Sequence, residues 1–430
     1  MAEPARRVPP PELSEEDTAM LAGDAGEAAA LCLRLVVALA RVLGARRLIS
    51  VDSAHVDGCL YHGMAGLDFA ERLVGLGARV AVPTTLNVGS LDLLHPGLVR
   101  ADAGTTTNAR RLMAAYTAMG CTPTWTCAPY QLTHRPEFGR HIAWAESNAI
   151  VFANSVLGAR TDRYGDFLDI SAAITGRVPY AGLHLDRNRR ATVRLDCAAV
   201  PRALLREDVA WGLLGHLAGQ TAGSGVPVLT GIPDDVTEDQ LKAFGAAAAS
   251  SGGVGLFHVV GITPEASTLD AVAGPGIETV HVGADRIRAI RDRLSTARSS
   301  RLDALCLGTP HFSVSEFERL SRLLADGPGF HPAVRAYVAT SRAVLDEAER
   351  RGFAEPVRRA GADIVVDTCT YITPILAPGV RTVMTSSGKW AWYAPGNIGV
   401  DVVVGSMAEC VASARAGVIV RDEELWAKQH

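Results

Sequence analysis

The sequence predicts an α/β protein layered around mostly parallel sheets, and three observations predict it. Apolar, β-branched runs recur along the chain, each followed by a polar loop and then a helix-like stretch. Runs of that kind, spaced by helices, imply strands buried on both faces. The length of 430 residues is also too great for a single core and implies about two to four units.

The elements follow in order. Residues 1–12 are rich in Pro and Arg and read as a disordered start. Ser14 suits an N-cap, with acids in the next turn, and opens a helical region running to about Gly44. Arg47 to Val51 reads as a strand delivering the polar run Asp52 to His62, and a helix to about Gly75 follows. The next strand is expected at Arg79-Val-Ala-Val, ending in Pro83-Thr-Thr-Leu-Asn-Val. In the centre, strands near Val226 and Gly255 flank a helix over Thr237–Ser250. The last third offers strands near Leu302, Ala336, Ala362, Val380 and Asp401. Boundaries near 200 and 300 divide the chain into 1–200, 201–300 and 301–430.

Composition excludes several classes. A net charge of −4 with interspersed acids and bases leaves no polyanion-binding face, so nucleic acid is not an expected partner. The longest apolar stretch, Ala28 to Gly44, is broken by Arg34 and Arg41, so no membrane partner is expected. Eight cysteines without a secretory segment point to reduced thiols in the cytoplasm. Cys32, Cys197 and Cys410 sit in apolar contexts and read as core. Only three lysines occur (Lys242, Lys389, Lys428), which makes Lys389 conspicuous in the polar run Thr-Ser-Ser-Gly-Lys-Trp.

Three other cysteines carry the chemistry. Cys127, Cys306 and Cys369 each stand in a short polar stretch, the last two after strand-like runs. Thiols at strand exits point into the crevice where open α/β sheets bind ligands. The chain has no Cys-x-x-Cys, which disfavours a zinc ribbon or a thioredoxin-like pair. Three thiolates around one metal leave a coordination position open for a Lewis acid.

The segments Thr126-Cys-Ala-Pro-Tyr, Ile142-Ala-Trp-Ala-Glu-Ser-Asn-Ala, Gly308-Thr-Pro-His-Phe-Ser, Cys369-Thr-Tyr-Ile-Thr-Pro and Ser386-Ser-Gly-Lys-Trp resemble the large subunit of the aconitase X family, in the family's order. The resemblance runs from about Leu13 to Glu424. It implies an aconitase-like multi-domain fold with the active site in a crevice between domains, and a hydro-lyase. It implies an iron–sulfur cluster ([2Fe–2S] or [4Fe–4S]) or mononuclear iron on Cys127, Cys306 and Cys369. Glu146, Ser147 and Lys389 take catalytic and substrate-binding roles, joined at the substrate by Gly58, Cys59, Leu60, Asn87 and Val88. Cys59 is expected as pocket wall rather than a fourth ligand.

The family acts on cis-3-hydroxy-L-proline in bacteria and on mevalonate 5-phosphate in archaea. Asp57-Gly-Cys-Leu-Tyr-His here resembles the hydroxyproline branch, where the other has Ser-Gly-Val-Ser-Tyr, so dehydration of cis-3-hydroxy-L-proline to pyrroline-2-carboxylate is expected. The resemblance also implies a small swivelling domain that supplies a catalytic serine; this chain leaves no room for it, so a partner subunit is expected. His55, His62 and His311 are second-tier candidates, followed by Tyr61, Thr309, Ser313, Asn154 and Arg160. Two readings of other classes remain: a metal-free thiol enzyme pairing Cys306 with His311, and a non-catalytic binding subunit.

Overall fold

A computed structural model describes residues 10–132 and 135–427. Residues 1–9 of the expected disordered start, and Lys428, lie outside them. The expected opening helix is two, Glu15–Ala22 and Glu27–Val42. The break falls at Gly23, whose φ of +103° ends the first helix in the left-handed region. Ser14 does cap it: its hydroxyl accepts from Asp17 N at 3.0 Å while Asp17 Oδ2 accepts from Ser14 N at 3.2 Å.

Among the described residues fourteen strands, numbered in chain order, form four sheets. The first region holds β1 (Leu48–Ser50), β2 (Ala54–Val56), β3 (Thr84–Leu86), β4 (Ala143–Trp144) and β5 (Arg177–Pro179). β1 and β5 pair antiparallel, whereas β2 lies between β3 and β4 in a parallel sheet. The strand expected at Arg79–Val82 lies at Thr84–Leu86 instead. Val80 N and Ala81 N bond to the carbonyls of Met119 and Ala173 at helix ends, so those residues have no neighbouring strand to join.

The second region is a parallel sheet in the order β8-β7-β6-β9, formed by Val193–Ala199 (β6), Pro227–Thr230 (β7), His258–Val259 (β8) and Thr279–Gly283 (β9). Its helices Asp208–Ala222 and Glu238–Gly252 pack so closely that a Cβ on Gly215 would collide with the Phe244 carbonyl. The third region is a five-stranded parallel sheet in the order β12-β11-β10-β13-β14. Its strands are Ala304–Phe312 (β10), Arg335–Thr340 (β11), Ala362–Val366 (β12), Thr382–Thr385 (β13) and Asp401–Val404 (β14). One apolar cluster containing Leu195, Phe244, Val383, Trp390 and Val402 joins the second and third regions.

The topology positions a site. In the third sheet the strand order reverses beside β10, the switch point at which open α/β sheets leave a crevice. The C-terminal end of β10 carries His311, and chain leaving β12 and β13 carries Cys369 and Lys389. Chain leaving β2, β3 and β4 of the first sheet carries Asp57, Asn87 and Glu146. Both sets of strand ends meet at one cavity.

Candidate active site and metal centre

That cavity has a volume of about 320 Å³, and its wall includes Asp57, Leu60, His62, Asn87, Val88, Cys127, Glu146, Ser147, Cys369 and Lys389. Tyr371 and Tyr393 add a flat face, their rings stacked with centroids 5.7 Å apart. Backbone strain gathers here. Trp125, Glu146 and Asp367 hold φ values of +44°, +71° and +64°, each at or within two residues of a cavity residue. Side-chain-bearing residues are rarely held so outside functional sites.

Glu146 is the N-cap of the short helix Ser147–Phe152, its Oε2 accepting from Ala149 N at 2.8 Å. Its Oε1 accepts from Lys389 Nζ at 2.5 Å and from Ser147 Oγ at 3.1 Å. Lys389 also donates to Ser147 Oγ at 3.3 Å. Lys389 opens the helix Gly388–Ile398, whose N-cap Ser387 accepts from Trp390 N. Both ions are buried, at 3% and 7% exposure. Burial alone would lower Lys389, but the Glu146 carboxylate outweighs it and holds the ammonium well above its usual range.

Two thiols face the cavity. The sulfurs of Cys127 and Cys369 and a ring nitrogen of His311 lie within 4.8 Å of one another. A hydrogen bond from Cys369 holds Cys127 below the usual thiol range against its burial, with Lys389 and the His311 amide (N to Sγ 3.3 Å) adding to the effect. The same bond, reinforced by burial, pushes Cys369 up. Two adjacent cysteine sulfurs, one of them eased toward the thiolate, are a donor pair suited to a thiolate-binding metal such as the iron of an iron–sulfur centre.

His311 differs in kind. Its Nδ1 faces Thr126 Oγ1 at 3.0 Å and its Nε2 faces the Thr368 carbonyl at 3.1 Å. Burial lowers it to about 4, so the ring is neutral. It ties the two cysteine loops together and can ligate only by releasing one of those bonds. Asn148 anchors the first loop from below, donating to the Cys127 carbonyl at 2.9 Å.

Cys306 is not brought to this group. β10 does not exit at Gly308 as expected but continues to Phe312, all nine residues buried, so Cys306 lies mid-strand. Its thiol packs in the core, is bonded to the Thr370 side chain, and is pushed by burial up to about 12. The expected Cys306–His311 pair does not form either, since both ring nitrogens of His311 have other partners.

Gly58 and Cys59 lie beneath the wall rather than on it. A Cβ on Gly58 would stand 2.7 Å from Tyr116 Oη, and the Cys59 thiol bonds to the Asn87 carbonyl at 3.3 Å. Of the second-tier residues, His62 lines the cavity. His55 is buried in β2 against Thr85 Oγ1 at 2.8 Å. Ser313 caps the helix Val314–Ala325, Asn154 bonds the Thr161 backbone, Arg160 pairs with Asp186, and Tyr61 accepts from Asn108. Thr309 lends its carbonyl to Ser387.

Asp57, Tyr371 and Tyr393 are not among the site residues expected from the sequence, although an acid ending a strand before Gly was a visible signal. Nor is Asp169, which accepts from Asp57 N and Gly58 N at 2.8 and 2.9 Å. Nothing local marks that role, because the partners are more than a hundred residues apart.

A crevice between parallel sheets, with a thiol pair and a buried lysine–glutamate pair on its wall, is the arrangement of an α/β enzyme of the aconitase type. Models of the aconitase X first, second and third domains match residues 11–187, 190–292 and 302–416. The chain belongs to the aconitase X family. It is 44% identical to a cis-3-hydroxy-L-proline dehydratase from Pseudomonas aeruginosa, over 95% of this chain and 70% of that protein. It is 39% identical to the phosphomevalonate dehydratase large subunit of Methanothermobacter thermautotrophicus, over 91% of this chain and 96% of that one. The crystal structure of Thermococcus kodakaraensis aconitase X in its holo form superposes with a TM-score of 0.84 at 34% identity, covering 94% of this chain and all of that one. These relatives are dehydratases, and the chain is an enzyme of that class. Among the described residues no helix is long and apolar enough to cross a membrane.

Proposed function

We propose that this chain is the large subunit of an iron-dependent hydro-lyase that dehydrates cis-3-hydroxy-L-proline to pyrroline-2-carboxylate. The observation that carries the reading is the charge on the cavity wall: one cation, Lys389, against two carboxylates, Asp57 and Glu146. No arginine lines it. A zwitterion suits that inventory, whereas a phosphomonoester dianion wants several donors or guanidinium groups. The 44% and 41% identities to the hydroxyproline dehydratases of Pseudomonas aeruginosa and Hypocrea jecorina support the same substrate.

Cys127 and Cys369 hold the iron centre, either a cluster or a single ion, with His311 the nearest further donor. Bound there, iron supplies a Lewis acid for a hydroxyl group and a carboxylate. Lys389, oriented by Glu146 and Ser147, binds the substrate carboxylate and favours the charge that builds beside it as the C2 proton leaves. The C2–H electron pair becomes the C2=C3 bond, the C3–O bond breaks with its electron pair on the leaving hydroxide, and that hydroxide and the proton taken from C2 together make the released water. Tyr371 and Tyr393 cover the ring. A serine on the small swivelling domain takes the C2 proton. Relatives named large subunits match this chain over nearly their whole length, which supports that division of labour. Eight free cysteines, two of them within reach of each other, support a reducing cytoplasm.

Mevalonate 5-phosphate is the second reading, favoured by the large-subunit relatives at 33–39% identity. Anaerobic reconstitution with iron and the small subunit separates the two. Turnover of cis-3-hydroxy-L-proline is expected, and preferential turnover of mevalonate 5-phosphate would overturn the substrate.

A further inference from the structure

The cavity wall made by the ends of β2 and β3 carries a carboxylate with no counter-charge. Asp57 accepts one hydrogen bond at Oδ1, from Asn87 Nδ2, and its Oδ2 receives none. Among the described residues no basic side chain pairs with Asp57, and the one cation on the wall, Lys389, is held at 2.5 Å by Glu146. A half-buried acid left without a cation costs stability unless a ligand supplies one.

The fold holds that acid in place. Asp169, itself fully buried, accepts from the amides of Asp57 and Gly58 at 2.8 and 2.9 Å. Tyr116 fills the space a side chain on residue 58 would need, so the turn requires Gly58. Beside Asp57, the side-chain amide oxygen of Asn87, Oδ1, is buried without a donor. This end of the wall therefore holds two oxygens without a donor, Asp57 Oδ2 and Asn87 Oδ1, while the cation of the wall, Lys389, is engaged by Glu146.

We propose that Asp57 is a specificity-determining residue that receives the ring ammonium of a cyclic secondary amino acid, with Asn87 as the second acceptor. A secondary ammonium carries two N–H donors, one for each. The assignment rests on the proposed zwitterionic substrate and adds what selects it. Asp57 attracts the amine end while Lys389 takes the carboxylate end, and the same carboxylate repels a phosphate dianion. Burial, and after it the charge of Glu146, pushes Asp57 up to about 7, as expected of an acid awaiting a cation.

The test uses the iron-loaded protein with its small subunit and two binding probes, L-proline and (S)-tetrahydrofuran-2-carboxylate. The second replaces the ammonium by an ether oxygen and keeps ring and carboxylate. Wild type is expected to bind L-proline at least about 30-fold more tightly. In Asp57→Asn, which conserves shape, that preference should fall to within a few-fold, with binding of the ether unchanged. Asp57→Ser repeats the measurement with a smaller side chain, so one folding failure leaves the other variant to decide. Equal binding of the two probes by wild type overturns the proposal, as does a preference that survives in either variant. Binding does not require turnover. A wild type that prefers L-proline yet dehydrates no hydroxyproline overturns the reaction and leaves the Asp57 assignment standing. Turnover of hydroxyproline without any probe preference does the reverse.

Discussion

The molecule buries two lysines, each beside carboxylates, and they differ in what remains unsatisfied. Lys242 donates to Asp239 at 3.0 Å, to Glu316, and to the His311 carbonyl at 3.4 Å, so its three donors meet three acceptors. Ser313 and Ser315 close the group by donating to Asp239. Lys389 is as deeply buried, and both lysines border a cavity, but only the cavity beside Lys389 also holds two thiols and an unpaired aspartate. Ionisation does not tell them apart, since neighbouring carboxylates raise both ammonium groups against burial. Open valence does. A complete buried network serves structure, and an incomplete one facing a cavity serves a ligand.

The largest expected effect lies at the thiols. Cys127→Ser and Cys369→Ser should each lose bound iron and at least about 100-fold in activity, read by iron per chain and by turnover. Cys306→Ala should keep its iron and cost only about 1–2 kcal/mol in urea unfolding, as a cavity mutant in a packed strand. A Cys306→Ala protein that folds normally but holds no iron would restore Cys306 as a ligand.

Next come the two lysines. Lys389→Met should cut kcat by about 10²–10³-fold by removing the charged donor for the substrate carboxylate. Lys242→Met should cost about 3–5 kcal/mol of stability by leaving Asp239 and Glu316 unpaired, with turnover per folded molecule nearly unchanged. Should Lys242→Met lose activity as severely as Lys389→Met while still folded, the distinction between the two networks would collapse.

What the sequence could show follows the same line. Motif residues following strands (Glu146, Ser147, Cys369, Lys389) were legible as cavity residues because strand, polar loop and helix occur consecutively in the chain, and Cys127 was legible from its short polar stretch alone. Cys306 was expected at a strand exit because Gly308 and Pro310 read as a strand end, whereas the strand runs on through them to Phe312. Gly58 and Cys59 were placed one layer too high, since in a tight turn neighbouring side chains point to different sides. Asp169 and the His311 bridge between the cysteine loops could not be read at all, because they join segments distant in sequence.

The smallest expected effect concerns pH. Burial raises both Asp57 and Asp169 to about 7 from 3.8. Glu146, Asp166 and Asp169 add to the shift on Asp57 and the Asn87 bond opposes it; on Asp169 the backbone amides oppose and Asp166 adds. Between those two pH values the folded chain keeps protons that the unfolded chain has released. These acids therefore lower stability as pH climbs from about 4 to about 7, with no further change above. Asp57→Asn removes one of the two groups and should flatten that decline, read from urea midpoints across the window. Lys242, raised as a cation, stays charged throughout this range and holds down the titration of Asp239 and Glu316, so Lys242→Met should shift the curve downward and steepen its decline. A slope unaltered by Asp57→Asn would mean that Asp57 already has a charge partner and that its wall of the cavity is as closed as the Lys242 network.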